Sequence, residues 1–157
     1  MRIAVLSDTH GRLWFIDDMI RKMGAVDGII HLGDYVGDAE KIRKYTGKEV
    51  ISVRGNCDFS TTIPTERVVE FNNVKLFITH GHNYGVKHGY NRLVHKAREL
   101  GVKWVLYGHT HVPEIYQQDG VTLINPGSPV YPRGMNKYTI AILEFGGTRL
   151  IPYIMET

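Results

Sequence analysis

Apolar residues in this chain fall in short runs, and most runs stop at a polar cluster. Residues 2–6, Arg-Ile-Ala-Val-Leu, read as a buried strand that runs straight into Ser7-Asp8-Thr9-His10-Gly11. From 12 to 23 the period becomes helical: Leu13, Ile16, Ile20 and Met23 recur on one face, Phe15 and Met19 widen it, and Gly24 is a stop. Residues 27–32 are strand-like again and end in Gly33-Asp34. A short helix is expected from Gly37-Asp38, with Asp38 as N-cap, Ala39, Ile42 and Tyr45 as its apolar face and Gly47 at its end. Residues 49–53 form a third strand and end in Arg54-Gly55-Asn56-Cys57-Asp58.

Beyond Pro64 the pattern changes. Residues 68–71 and 74–78 flank Asn72-Asn73 as a hairpin, and the second strand ends in Thr79-His80-Gly81-His82. A helix over 89–100 carries Tyr90, Leu93, Val94, Ala97 and Leu100, and the buried run 104–107 ends in Gly108-His109-Thr110-His111. Two more hairpins, around Asp119-Gly120 and Gly146-Gly147, enclose the rigid loop Asn125-Pro126-Gly127-Ser128-Pro129. Three successive strand–helix units imply an α/β fold that begins with parallel strands. In such sheets, sites form outside the carboxyl ends of the strands.

Five strand ends therefore carry Asp8 with His10, Asp34, Asn56, His80, and His109 with His111, each beside a glycine. In an extended backbone, residues i and i+2 point to one side, so Asp8 and His10 are expected to face one point, as are His109 and His111. Any one of these ends alone is a weak signal. Together they predict a metal site built of Asp8, His10, Asp34, Asn56, His80, His109 and His111. Seven oxygen and imidazole donors exceed what one ion needs, and they suit two divalent ions: manganese first, with nickel, iron or zinc also compatible. His31 alternates with Leu32, away from Asp34, and reads as structural. His88 and His95 read as surface residues.

Composition narrows the class. The 157 residues are expected to form one domain spanning 1–157, and 43% hydrophobic content supplies its core. No apolar run approaches a membrane span, and the N-terminus enters a strand without a signal-peptide pattern. Cys57 is the single cysteine, so no internal disulfide forms and a cytoplasmic location is expected. A formal charge of +3 is not concentrated in a run, so nucleic acid is not indicated as a partner. The hairpin edges of the C-terminal half could pair between subunits of a homo-oligomer. Ser7 and Ser128 lack a Gly-x-Ser-x-Gly setting, and no phosphate-binding Gly-x-x-x-x-Gly-Lys is present.

Asp8-x-His10, Gly33-Asp34, Gly55-Asn56-x-Asp58, Thr79-His80-Gly81-His82 and Gly108-His109-x-His111 resemble the successive motifs of the calcineurin-like metallophosphoesterases. The short chain and Asn125-Pro126-Gly127-Ser128 resemble the small prokaryotic phosphodiesterase branch, near which the eukaryotic retromer subunit of the same fold belongs. The resemblance implies a four-layer α/β sandwich of two mixed sheets flanked by helices. It also implies one metal on Asp8, His10, Asp34 and His111, and a second on Asp34, Asn56, His80 and His109, with Asp34 as the bridge. The implied activity is phosphodiester hydrolysis of a small-molecule substrate by in-line attack of a metal-bridging hydroxide. A protein-binding scaffold, and a phosphomonoesterase or nuclease on the same metal core, are the alternatives.

Asn56, Cys57, Asp58 and His82 are the candidate catalytic residues. Most of the wider family has histidine where this chain has Cys57, and a thiol is too weak a donor to replace an imidazolium. Activated diesters are therefore expected to turn over better than those with poor leaving groups. His82 follows His80 by two and is read as a substrate contact, a support for the ligands or a structural residue. Asp58 is expected to orient its neighbours through hydrogen bonds. Arg133 is read either as a phosphate contact or as a loop ion pair. Loops 58–66, 82–89 and 128–137 are expected to form the substrate walls.

Overall fold

Strand β1 (Arg2–Leu6) is buried on both faces, and that sets the layering. Beside it run β2 (Gly28–His31) and β3 (Val50–Ser52), in parallel register, with α1 (Ile16–Met23) and α2 (Val36–Thr46) as the crossovers. Then come the hairpin β4 (Glu66–Phe71) and β5 (Val74–Thr79), a single 3-10 turn at His82–Tyr84, and α3 (Asn91–Glu99). The chain ends with β6 (Trp104–Leu106), the hairpin β7 (Pro113–Gln118) and β8 (Val121–Pro126), and the hairpin β9 (Thr139–Gly146) and β10 (Arg149–Glu156). The computed structural model describes residues 1–59 and 61–157; Ser60, within the expected wall 58–66, lies outside the described residues.

Two five-stranded mixed sheets result, ordered β10-β9-β1-β2-β3 and β4-β5-β6-β8-β7. Period-two alternation along β1 places them. Ile3 and Val5 pack against Leu76, Ile78, Leu106 and Ile124 of the other sheet, which makes the central core. Ala4 and Leu6 face outward onto Phe15, Ile16 and Met19 around α1 and Ile42 of α2. On the far side, Phe77, Val105 and Tyr107 pack under Leu93, Val94 and Ala97 of α3. Helices, sheet, sheet and helix are the four expected layers.

Three local expectations fail for identifiable reasons. Helix α1 starts at Ile16, not near residue 12. The preceding segment leaves β1 with positive φ at His10 and Gly11, and the Gly11 N–H is held by the Asp38 carboxylate at 2.8 Å. Leu13 still packs against the outer core, so its periodicity reflects burial and not helix. Asp38 does not cap α2, which begins at Val36. Its carboxylate accepts from the Thr9 hydroxyl at 2.7 Å as well as from Gly11, so long-range partners win over the local cap. Tyr45 is 59% exposed and bonds Asp17 instead of joining the buried face of α2. Between the hairpins of the second sheet, β8 lies parallel to β6.

The two sheets bring their strand ends together closely. A Cβ at Gly108, just past β6, would overlap the Ser7 hydroxyl past β1 and lie 2.9 Å from the Asp8 carboxylate. Gly108→Ala is expected to cost about 1–3 kcal/mol, as overpacking does. The loss should appear as a lower urea midpoint with an unchanged slope. An unchanged midpoint would contradict the contact between these strand ends.

Candidate metal centre

The loops after β1, β2, β5 and β6 converge on one pocket of acceptors. His111 Nε2 lies 3.2 Å from Asp8 Oδ1 and 3.4 Å from His10 Nε2. His10 Nε2 is 3.8 Å from Asp34 Oδ2, and His80 Nε2 is 3.4 Å from Asp34 Oδ1 and 3.8 Å from Asp8 Oδ1. Three overlapping triads, Asp8–His10–His111, Asp8–Asp34–His80 and His10–Asp34–Cys57, keep their ligand atoms within 4.8 Å of one another.

The remaining candidates sit at the edge of this cluster. The His109 ring centroid is 5.1 Å from that of His80, while its backbone N–H donates to Asp8 Oδ2 at 3.0 Å. Asn56 is exposed, with its amide nitrogen 3.5 Å from Cys57 Sγ. His82 opens the 3-10 turn with its ring 5.4 Å from His80, and its Nδ1 is buried without a partner among the described residues. Asp58 acts as a loop clamp: Oδ1 accepts from Tyr35 and Val36 N–H at 2.7 Å each, and Oδ2 from Gly55 N–H at 2.8 Å.

The backbone reasoning that placed Asp8 and His10 together needs correction. Neither pair follows an extended pleat. Asp8, His10, Asp34, His109 and His111 all have positive φ, between 48° and 70°. For residues other than glycine this conformation is uncommon and costs about 1–3 kcal/mol each unless the surroundings enforce it. Here they do. Thr9 lies between Asp8 and His10, and its hydroxyl bonds both Asp38 and His31 Nε2, the latter at 3.0 Å. His31 Nδ1 in turn accepts from Gly33 N–H at 3.2 Å, so Nε2 carries the proton toward Thr9. His31 is thus a fully buried brace, as its strand position implied. The loop at 125–128 braces the other side. Asn125 donates to Gly108 O at 3.0 Å and Thr110 Oγ1 at 2.9 Å, and the Ser128 hydroxyl donates to Asp8 O at 2.9 Å.

The hydrogen-bond pattern tests whether metal fits. His80 Nδ1 faces Leu32 O at 2.8 Å and His111 Nδ1 faces Tyr131 O at 2.7 Å, so in the neutral rings Nδ1 donates and Nε2 keeps a lone pair. Those lone pairs point at carboxylate oxygens. Asp8 Oδ1 and His80 Nε2 are both buried and lack a hydrogen-bond partner among the described residues. Acceptors facing acceptors need cations between them. Without metal, the burial that opposes charge on Asp8, Asp34 and His80 is outweighed by their mutual attraction. The two carboxyls stay low and the His80 imidazole is raised. His109 has no such carboxylate contact, and burial followed by repulsion from His80 lowers it to about 4. Burial, then the Asp34 carboxylate, pushes the Cys57 thiol up to about 11 in the metal-free protein.

The oxygens divide the work. Asp8 offers only Oδ1, because Oδ2 takes the Ser7 hydroxyl at 2.6 Å and the His109 N–H. Asp34 turns Oδ2 toward His10 and Oδ1 toward His80, one oxygen to each side. Ser7, Thr9, His31, Asp38 and the acceptor carbonyls of Leu32 and Tyr131 escaped the sequence reading of the site. None carries a spacing signal, and apart from Ser7, which bonds its own neighbour Asp8, each acts through a contact that only the fold creates.

Adding manganese or zinc to metal-free protein at about 100 times Kd should stabilise it by about 2.7 kcal/mol. For a chain of this size that raises Tm by roughly 5–10 °C. His80→Ala should lose most of this rise in a thermal scan. An equal rise in the variant would mean the metal binds elsewhere.

A family model described as the calcineurin-like phosphoesterase superfamily domain matches residues 1–148. The chain is 32% identical over 145 residues to the probable metallophosphoesterase YsnB of Bacillus subtilis, covering 91% of this chain and 83% of that one. It is 32% identical over 145 residues to the phosphodiesterase MJ0936 of Methanocaldococcus jannaschii, covering 81% and 83%. The crystal structure of a predicted phosphoesterase from Streptococcus pneumoniae aligns with a TM-score of 0.83 at 28% identity, covering 99% of this chain and 88% of that one. With braced carboxylates and imidazoles at the strand ends and this match over nearly the whole sequence, the chain belongs to the calcineurin-like phosphoesterase superfamily.

Proposed function

We propose that this protein is a two-metal phosphodiesterase. The observation that carries the reading is the convergence of unpartnered acceptors, Asp8 Oδ1 and His80 Nε2, in a family of phosphoesterases. Asp8, His10 and His111 would hold one ion, His80 with Asn56 and His109 the other, and Asp34 would be the ligand they share. Manganese is the first choice for both. The ions would supply Lewis acidity for the phosphoryl oxygens and an activated water for in-line attack.

The chain's own residues set the rest. His80 and His111 are fixed as Nε2 donors to metal by their carbonyl partners, and Asp58 holds the loop bearing Asp34 against the loop bearing Asn56. In the metal-free protein, burial and the Asp34 carboxylate push the Cys57 thiol up, and a thiol is a weak acid for the departing alcohol. His82, with burial lowering its imidazole and its Nδ1 without a partner among the described residues, would contact the substrate. These features favour diesters whose leaving group needs no proton. A scaffold role, by analogy with the retromer subunit, is less favoured because every expected ligand position is retained.

With added manganese, Asp34→Asn and His109→Ala should lower hydrolysis of bis(p-nitrophenyl) phosphate by about 100-fold or more. Normal turnover by both would sink the assignment, and metal binding without hydrolysis of any ester would leave the scaffold. Cys57→Ala should keep its rate on the same ester within about tenfold, since p-nitrophenolate leaves without acid catalysis. Loss of all activity in that variant would make Cys57 a nucleophile after all.

A further inference from the structure

An open cavity of about 600 Å³ adjoins the metal cluster, with His10 and His111 on one side and Tyr35, Tyr131 and Arg133 among its other walls. That volume lies within the range of ligand sites. Its aromatic walls are tied to the cluster. Tyr35 directly follows Asp34 and has φ 81°, an outlier for a bulky side chain. Its N–H is held by Asp58, and its ring lies so close over Gly11 that a Cβ there would come within 3.1 Å. Tyr131 accepts from His111 Nδ1 through its carbonyl, and its N–H donates to Ser128 Oγ at 2.9 Å. Arg133 N–H donates to His111 O at 3.0 Å.

Both rings nonetheless remain partly exposed. Tyr35 is 47% and Tyr131 39% exposed, and they stand at 57° and 75° to the His10 ring, so neither stacks flat on it. A strained backbone that presents an exposed ring beside a reaction centre has a cost that ordinary surface residues do not carry. The charges then select among occupants. Two tyrosines alone would suit a quaternary ammonium group. Here the Arg12 guanidinium sits 5.0 Å over the Tyr131 ring centroid. Arg133 is exposed and makes no ion pair among the described residues. Two cations repel a cationic alcohol and accept an anionic or neutral one beside a flat ring.

We infer that the alcohol retained on the phosphate after hydrolysis is a nucleoside, its base against Tyr35 and Tyr131 and its phosphate reaching toward His10 and His111, while the other alcohol departs. This rests on the phosphodiester reading above and names the substrate class for it. Base–aromatic contacts of this kind tolerate any base, because every base has a flat π face.

Calorimetric titration of the manganese-loaded protein with adenosine 5′-monophosphate, ribose 5-phosphate and phosphocholine tests it, because all three present the same phosphate. The nucleotide should bind about tenfold tighter than ribose 5-phosphate, with phosphocholine weakest. Tyr131→Ala and Tyr35→Ala should each erase most of that preference, Tyr131→Phe should keep it, and Arg133→Ala should narrow the gap between nucleotide and phosphocholine. Equal affinities for nucleotide and ribose phosphate in the wild type, or an unchanged preference in both alanine variants, would overturn the inference. If hydrolysis of the aryl diester persists in that case, only the substrate class falls.

Discussion

The structure is organised around an electrostatic conflict. Asp8, Asp34, His80 and His111 turn oxygen and nitrogen lone pairs into one pocket, where their ligand atoms and that of His10 approach one another to 3.2–3.9 Å. Protonating His80 relieves part of this, since its carboxylate neighbours raise it. The His10 and His111 Nε2 atoms, 3.4 Å apart, lie outside that pairing. Divalent cations would remove the conflict everywhere at once, and the free energy of their binding would add to that of folding. The remainder of the fold can be read as the means of holding this arrangement against its own repulsion.

That holding is done by backbone and buried polar networks. Five of the ligand candidates occupy the left-handed region, which no strand geometry would impose. The chain from Gly33 through His31 and Thr9 to Asp38 stiffens the first loop. Asn125 and Ser128 stiffen the last one from the opposite sheet. Close packing of loops completes it: a Cβ at Gly55 would overlap the Asp34 carboxylate. Strain at the centre is thus offset by hydrogen bonds and packing outside it, and the same braces fix the tyrosines of the adjoining cavity.

Much of this was legible in the residues. Element types follow from the alternating and helical periods, and the three hairpins from Asn-Asn, Asp-Gly and Gly-Gly pairs. Strand ends beside glycine pointed to the site because five of them in one chain carry metal-ligand side chains, where one alone is a weak signal. What was hidden depends on distant contacts. Asp38 looks like a cap because capping is local, yet its partners are Thr9 and Gly11. Pairing of β9 with β1 joins opposite ends of the chain, and no period reports it. The i, i+2 spacing of Asp8 and His10 led to the right neighbourhood through the wrong backbone geometry. Ligand pairs at loop turns share that spacing with ligand pairs on strands, and φ cannot be read from side-chain types.

The most direct measurement is the metal stoichiometry of the purified chain. Metal-free protein titrated with manganese, with bound metal counted by elemental mass spectrometry after dialysis, should retain two ions per chain. Asp34→Asn should retain fewer, because the bridge serves both positions. A wild-type chain that binds no metal at saturation, or an Asp34→Asn variant that binds as many ions as the wild type, would contradict the account at its centre.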